Sequence, residues 1–125
     1  MECTACSSTA VPAGVIGTRF ASEVPGCVHY DLMRAGVIGP VDEGDGEAQQ
    51  VWVGHADWLW RGTIEVSAEL LAEDCCELVF ASLDTVATIT VNGIEVGSAA
   101  NQFVQHRCAV KRALRVGVNE ITVAI

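Results

Sequence analysis

Basic residues are scarce in this chain. It has seven Lys and Arg against 16 Asp and Glu, which gives a formal net charge of −9 over 125 residues. Because proteins bind nucleic-acid phosphates mainly through clustered cations, this balance argues against a nucleic-acid partner. The only basic concentration, residues 107–115, is interpreted as the polar faces of a strand and a following turn.

The chain also lacks a long apolar run. Half of its residues are apolar, yet no run approaches the roughly 18 residues that a membrane span needs. We therefore expect no membrane partner. Residues 1–14 have neither a basic segment nor a continuous apolar segment, so no secretory signal is expected and the predicted location is the cytoplasm. The length corresponds to one domain with a single core.

Six cysteines are present, but without an oxidising compartment they do not predict a disulfide framework. Cys3 and Cys6 form a C-x-x-C pair, which is typical of redox chemistry or of half a zinc site. No second pair follows, and the adjacent Cys75 and Cys76 cannot both face one tetrahedral metal from a regular strand. We therefore predict free thiols, no metal and no cofactor.

The first third of the chain has little strand-like periodicity. Residues 1–23 are small and polar, and they are interpreted as a loosely ordered lead-in. Residues 28–35 have apolar positions at helical spacing, and Gly36 stands where a glycine often ends a helix. This pattern predicts one short helix. The glycine-rich, acidic segment 39–47 is predicted to be an exposed loop.

From residue 50 onward the apolar residues follow the two-residue period of strands. The predicted strand segments are 50–53, 58–67, 77–81, 85–91, 94–97, 103–110 and 120–125. Asn92-Gly93 supplies the two positive-φ positions of a type I′ hairpin turn. Short strands joined by turns predict an all-β, antiparallel sandwich or barrel. Because the chain stops within an apolar strand, we expect the closing strands of the sandwich to be missing.

Several segments resemble one known family. Residues 24–32 (VPGCVHYDL) and 35–38 (AGVI) are similar to the entrance motif of beta-mannosidases of glycoside hydrolase family 2. Residues 44–47 (GDGE) resemble the family's G-D-N-E, with Gly46 in place of Asn. Residues 52–58 (WVGHADW) resemble its W-I-G-x-x-D-W.

The resemblance continues in the same order to the end of the chain. Residues 83–93 resemble L-D-T-x-A followed by N-G, residues 101–103 match N-x-F, and residues 114–119 match L-x-x-G-x-N. The similarity covers residues 24–125, about four-fifths of the chain. It implies an antiparallel jelly-roll sandwich of the galactose-binding-like kind over 24–125, with one short N-terminal helix and without its last strands.

The resemblance also implies a function and partners. The parent would be a retaining glycosidase that removes terminal beta-D-mannose from oligosaccharides, and this chain would be its non-catalytic N-terminal domain. Its expected partners are a downstream catalytic barrel, immunoglobulin-like domains of the same polypeptide, and carbohydrate. The two catalytic glutamates of the family lie on the barrel, so no catalytic residue is expected here.

Four residues are candidates for lying near the sugar: Trp52, Asp57, Trp58 and Asn101. An indole face can stack on a pyranose, but Trp58 shares one side of a predicted strand with apolar residues, which also fits core packing. Asp57 fits a turn anchor equally well. The acidic residues of segment 39–47 are interpreted as a solvated loop rather than as a catalytic pair.

Two other functions remain open from the sequence. A stand-alone carbohydrate-binding module would need a complete sandwich and an exposed aromatic platform. A structural or interaction domain would instead pair its exposed sheet edge with another chain.

Overall fold

The computed structural model describes residues 1–7 and 11–125. The chain divides into two compact units, Met1–Trp60 and Arg61–Ile125. Strands make up 38% of the structure and helices 18%, which confirms a mainly β, antiparallel fold. No helix within the described ranges is long and apolar enough to cross a membrane.

The first unit contains two paired strands, two short α-helices and a 3₁₀ helix, and it ends within a third strand. In chain order the elements are β1 (Glu2–Ser7), β2 (Arg19–Ala21), α1 (Val28–Arg34), α2 (Gly46–Gln50), a 3₁₀ helix (Val51–His55) and the start of β3 (Asp57–Val66). In this unit β1 lies between β2 and β3. The core residues are Cys3, Ala5, Val11, Val15, Phe20, Leu32, Val53 and Trp58.

The segment interpreted as a lead-in, residues 1–23, holds β1 and β2 in antiparallel pairing, with Cys3 opposite Phe20. Residues 8–10 of this segment lie outside the described residues. The expectation of loose order is wrong for β1 and β2, because Cys3 and Phe20 are buried in the core. Small residues such as Cys3 and Ala5 gave little hydrophobic periodicity although they fill core positions. The division into a lead-in and a domain over 24–125 remains a prediction.

Helix α1 confirms the predicted short helix. Gly36 follows it with a φ of 70°, and two backbone bonds close the end of the helix. The Gly36 N–H donates to the Met33 carbonyl at 3.0 Å and the Val37 N–H donates to the Leu32 carbonyl at 2.9 Å. These bonds satisfy carbonyl groups that the last turn leaves free, as expected for a glycine-terminated helix.

The predicted strand at 50–53 is wrong, since these residues end α2 and begin the 3₁₀ helix. A strand would place Val51 and Val53 on one face, but Val53 is 2% exposed and Val51 is 55% exposed. The helical path begins before this segment, where the Gln49 N–H donates to the Asp45 carbonyl at 3.0 Å. Gly46 begins α2 so close to the preceding loop that a Cβ there would lie 2.4 Å from the Pro40 carbonyl oxygen.

The second unit holds the rest of β3, one short helix and five further strands. They are α3 (Ala68–Ala72), β4 (Glu77–Phe80), β5 (Ala87–Val91), β6 (Ile94–Ala99), β7 (His106–Ala109) and β8 (Gly117–Ala124). In this unit β8 lies between β3 and β5, β6 flanks β5, and β4 pairs with β7. The helices α2 and α3 are additional to the predicted short helix, α1. Helix α3 has a serine cap, since Ser67 Oγ accepts a bond from the Leu70 N–H at 3.2 Å.

The core of the second unit comes from alternate residues of its strands. In β5, Ala87, Ile89 and Val91 are buried, and in β8 Ile121 and Val123 are buried. This alternation is the two-residue period that the sequence predicts. Between β5 and β6 the predicted hairpin turn is confirmed, with φ values of 51° at Asn92 and 79° at Gly93.

Candidate functional site

The tryptophans of the first unit belong to its core. Trp58 is 4% exposed, and its indole Nε1 donates to the Val53 carbonyl at 2.9 Å. The rings of Trp52 and Trp58 have centroids 6.1 Å apart and are tilted by 39°. Trp52 and Trp60 are partly buried against the same core. Core packing is therefore the observed environment of Trp58, and its ring face is not open to a ligand.

Two other sugar-site candidates lie at the surface. Asp57 is the first residue of β3 and is exposed, and its side chain or backbone has an interaction partner. Asn101 is exposed in the second unit, between β6 and β7. Trp52 and Trp58 are neighbours in the first unit, where Asp57 directly precedes Trp58 in β3, whereas Asn101 belongs to the other unit. Their proximity to a sugar remains a prediction.

A buried carboxylate in α1 was missed by the sequence reasoning. Asp31 is 1% exposed. It accepts bonds from Ser22 Oγ at 2.6 Å and from the Glu23 N–H at 3.4 Å, and it pairs with the Arg34 guanidinium. The only signal was an aspartate within the VPGCVHYDL motif, on the same helix as the buried Leu32. The motif residue Asp31 therefore fixes α1 to the segment that follows β2.

The same network reaches β3. Trp60 Nε1 donates to Ser22 Oγ at 3.0 Å, so Ser22 links an indole to the buried carboxylate. On the other side, Arg34 also bonds Glu23 at 2.5 Å. Both bonds raise the pKa of Arg34 above its ordinary value, and the bond to Glu23 contributes more than the bond to Asp31. The network joins α1, the segment after β2 and β3. Its bonds to Asp31 and Glu23 are charge-assisted, which is the stronger kind, whereas the bond from Trp60 to Ser22 joins neutral groups.

An open groove of about 500 Å³ lies beside this network. Its lining residues are Arg19, Phe20, Ala21, Ser22, Glu23, Asp31, Arg34 and Ala35. Both terminal nitrogens of Arg34 bond carboxylates, and Arg19 lies 3.4 Å from the Glu2 carboxylate. Because these cations are already paired within the chain, the groove is not built as an anion site.

The catalytic pair of a glycosidase sets a clear requirement for carboxyl groups. A retaining glycosidase needs two carboxyl groups about 5–5.5 Å apart, with the pKa of the acid raised. Asp42, Glu43 and Asp45 are exposed in the predicted acidic loop. Among the carboxyl groups of residues 1–7 and 11–125, Glu69 and Glu77 have clearly shifted pKa values, and both values are lowered. Glu69 is bonded by its own N–H and by Ser67, and Glu77 by Arg107, so both favour the charged form.

All six cysteines are free thiols in the structure. Cys3 is buried, and its pKa is raised to about 12, mainly by this burial and to a smaller extent by the nearby charge of Asp31. Cys6 is exposed on the same strand. Within residues 1–7 and 11–125, no group of three or more His, Cys, Asp or Glu side chains is placed to hold a metal ion.

The second unit has its own buried polar centre at Asn119, which is 0% exposed. Its Oδ1 accepts from the Arg115 N–H at 2.8 Å and from Asn92 Nδ2 at 2.8 Å. Its Nδ2 donates to the carbonyls of Arg115 at 2.7 Å and Gly117 at 2.8 Å. Asn92 Oδ1 in turn accepts from the Glu120 N–H at 3.0 Å. The N-G and L-x-x-G-x-N motifs therefore meet in one hydrogen-bond network.

Comparisons with known proteins agree with these motifs. The family model described as "Glycosyl hydrolase 2 galactose-binding domain-like" matches residues 7–125. Beta-mannosidase B of Thermothelomyces thermophilus is 32% identical over 82% of this chain. Beta-mannosidase A of Emericella nidulans is 34% identical over 82% of it.

Solved structures of glycosidases also match this chain. The beta-D-mannosidase of Dictyoglomus thermophilum matches 99% of this chain with a TM-score of 0.88 and 32% identity. A beta-glucuronidase of an uncultured Clostridium matches 55% with a TM-score of 0.51 and 25% identity.

The chain spans only a small part of these relatives. It covers 12% of the Thermothelomyces protein, 11% of the Emericella protein and 14% of the Dictyoglomus chain. What it matches is their N-terminal domain. On the family model and the two curated relatives together, this chain belongs to the glycosyl hydrolase 2 galactose-binding domain-like family.

Proposed function

We propose that this chain is the non-catalytic N-terminal domain of a beta-mannosidase-like glycoside hydrolase, which removes terminal beta-D-mannose from oligosaccharides. The observation that carries the proposal is the agreement in fold and sequence with a beta-D-mannosidase along nearly the whole chain. In the proposed parent, a catalytic barrel and immunoglobulin-like domains follow in the same polypeptide. The domain contributes packing, and the catalytic carboxylates belong to the barrel.

The networks of both units support a scaffold function. Asp31 and Asn119 are motif residues, yet both are buried and bonded inside the chain. Side chains used in this way stabilise a fold and are not available to a substrate. Trp58, the most buried of the tryptophans, supports the same view because its ring lies in the core.

The coding DNA tests the proposal directly. Read onward from the codon for Ile125, it is expected to encode further strands and a barrel with two glutamates. A genuine stop codon, with transcripts that also end there, would contradict the hydrolase assignment for this product.

The 125-residue chain gives an independent test. We expect it to release no nitrophenol from a 4-nitrophenyl beta-D-mannoside above the rate in buffer, because a retaining mechanism needs a paired nucleophile and acid. Release that depends on the amount of chain would refute a non-catalytic function. Calorimetric titration with mannobiose tests the alternative of a carbohydrate-binding module, which requires measurable heat. The cytoplasmic location remains a prediction, to be tested by cell fractionation.

A further inference from the structure

We draw no further inference here: the strongest candidate, the exposed apolar surface patch around the hairpin turn and the start of β8 in the second unit (Ile94, Val116 and Val118), carries none because nothing in the described residues shows what covers it.

Discussion

The hydrogen bonds of Asn119 lead us to expect a large loss of stability from the substitution Asn119→Asp. Replacing Asn119 by Asp keeps the size of the side chain but exchanges the Nδ2 donor for a carboxylate oxygen. That nitrogen donates to the carbonyls of Arg115 and Gly117 at 2.7 and 2.8 Å. In the variant these carbonyls face an acceptor in a site that is 0% exposed.

The expected loss can be worked out from these bonds. A buried group left without its partner costs about 1–3 kcal/mol. Two such groups give about 2–6 kcal/mol, before the cost of burying the new charge without a cation. The free energy of unfolding of a domain is only about 5–15 kcal/mol. We therefore expect the Asn119→Asp chain to be largely unfolded, or only marginally stable, at neutral pH.

Urea denaturation followed by tryptophan fluorescence measures this effect, compared with an Asn101→Asp control. Asn101 is exposed and its oxygen accepts the Phe103 N–H, so a carboxylate can keep that bond. The control makes the same change of net charge, and its free energy of unfolding should stay within about 0.5 kcal/mol of wild type. Equal stability of the two variants would refute the network's importance.

The pH dependence of the Asn119→Asp variant provides a second check. Burial beside two carbonyls raises the folded-state pKa of the introduced carboxyl above its unfolded value. The folded state then binds more protons than the unfolded state, so the stability of the variant falls as pH rises through this range. Below the unfolded pKa of about 4 the protonated group can donate one bond again, and part of the loss should disappear.

Three further predictions concern other residues. Asp31→Ala removes the acceptor of two hydrogen bonds and an ion pair, and should lower the free energy of unfolding by about 2–4 kcal/mol in urea denaturation; an unchanged midpoint would contradict this. Gly97→Ala places a Cβ 2.5 Å from Cys108 Sγ and should cost about 1–3 kcal/mol, most of which Cys108→Ala should restore in the double variant. At pH 8, iodoacetamide should modify the exposed Cys6 and spare the buried Cys3, whose pKa is raised to about 12. Cys3 should react only after urea unfolds the chain. If mass spectrometry finds both cysteines modified in the folded chain, the burial of Cys3 is contradicted.

Much of the second unit could be predicted from the sequence because its strands alternate. Ile89 and Val91 face the core while Thr88 is exposed, so burial follows the two-residue period. The Asn92-Gly93 turn was predictable because few residues other than glycine and asparagine adopt positive φ values. The family resemblance added the identity of the domain, which periodicity alone does not give.

The first unit was harder to predict, for two physical reasons. Cys3 and Ala5 fill buried positions of β1 with small side chains, so the strand has no strong hydrophobic pattern. Val51 and Val53 have strand-like spacing, but they lie in a 3₁₀ helix, where one is exposed and the other is buried. The buried charge of Asp31 depends on partners that are distant in sequence, such as Ser22. Its environment therefore could not be inferred from periodicity.

The hairpin at Asn92 and Gly93 has a consequence for chemical ageing. An asparagine followed by glycine deamidates readily, because the unhindered glycine N–H can attack the side-chain amide carbon. In the folded chain that amide is held by Ala113, Asn119 and Glu120, and it is not free to turn toward the Gly93 nitrogen. Deamidation at Asn92 should therefore proceed through unfolded molecules, and the fraction of succinimide and isoaspartate in a stored sample would report how long the chain had spent unfolded.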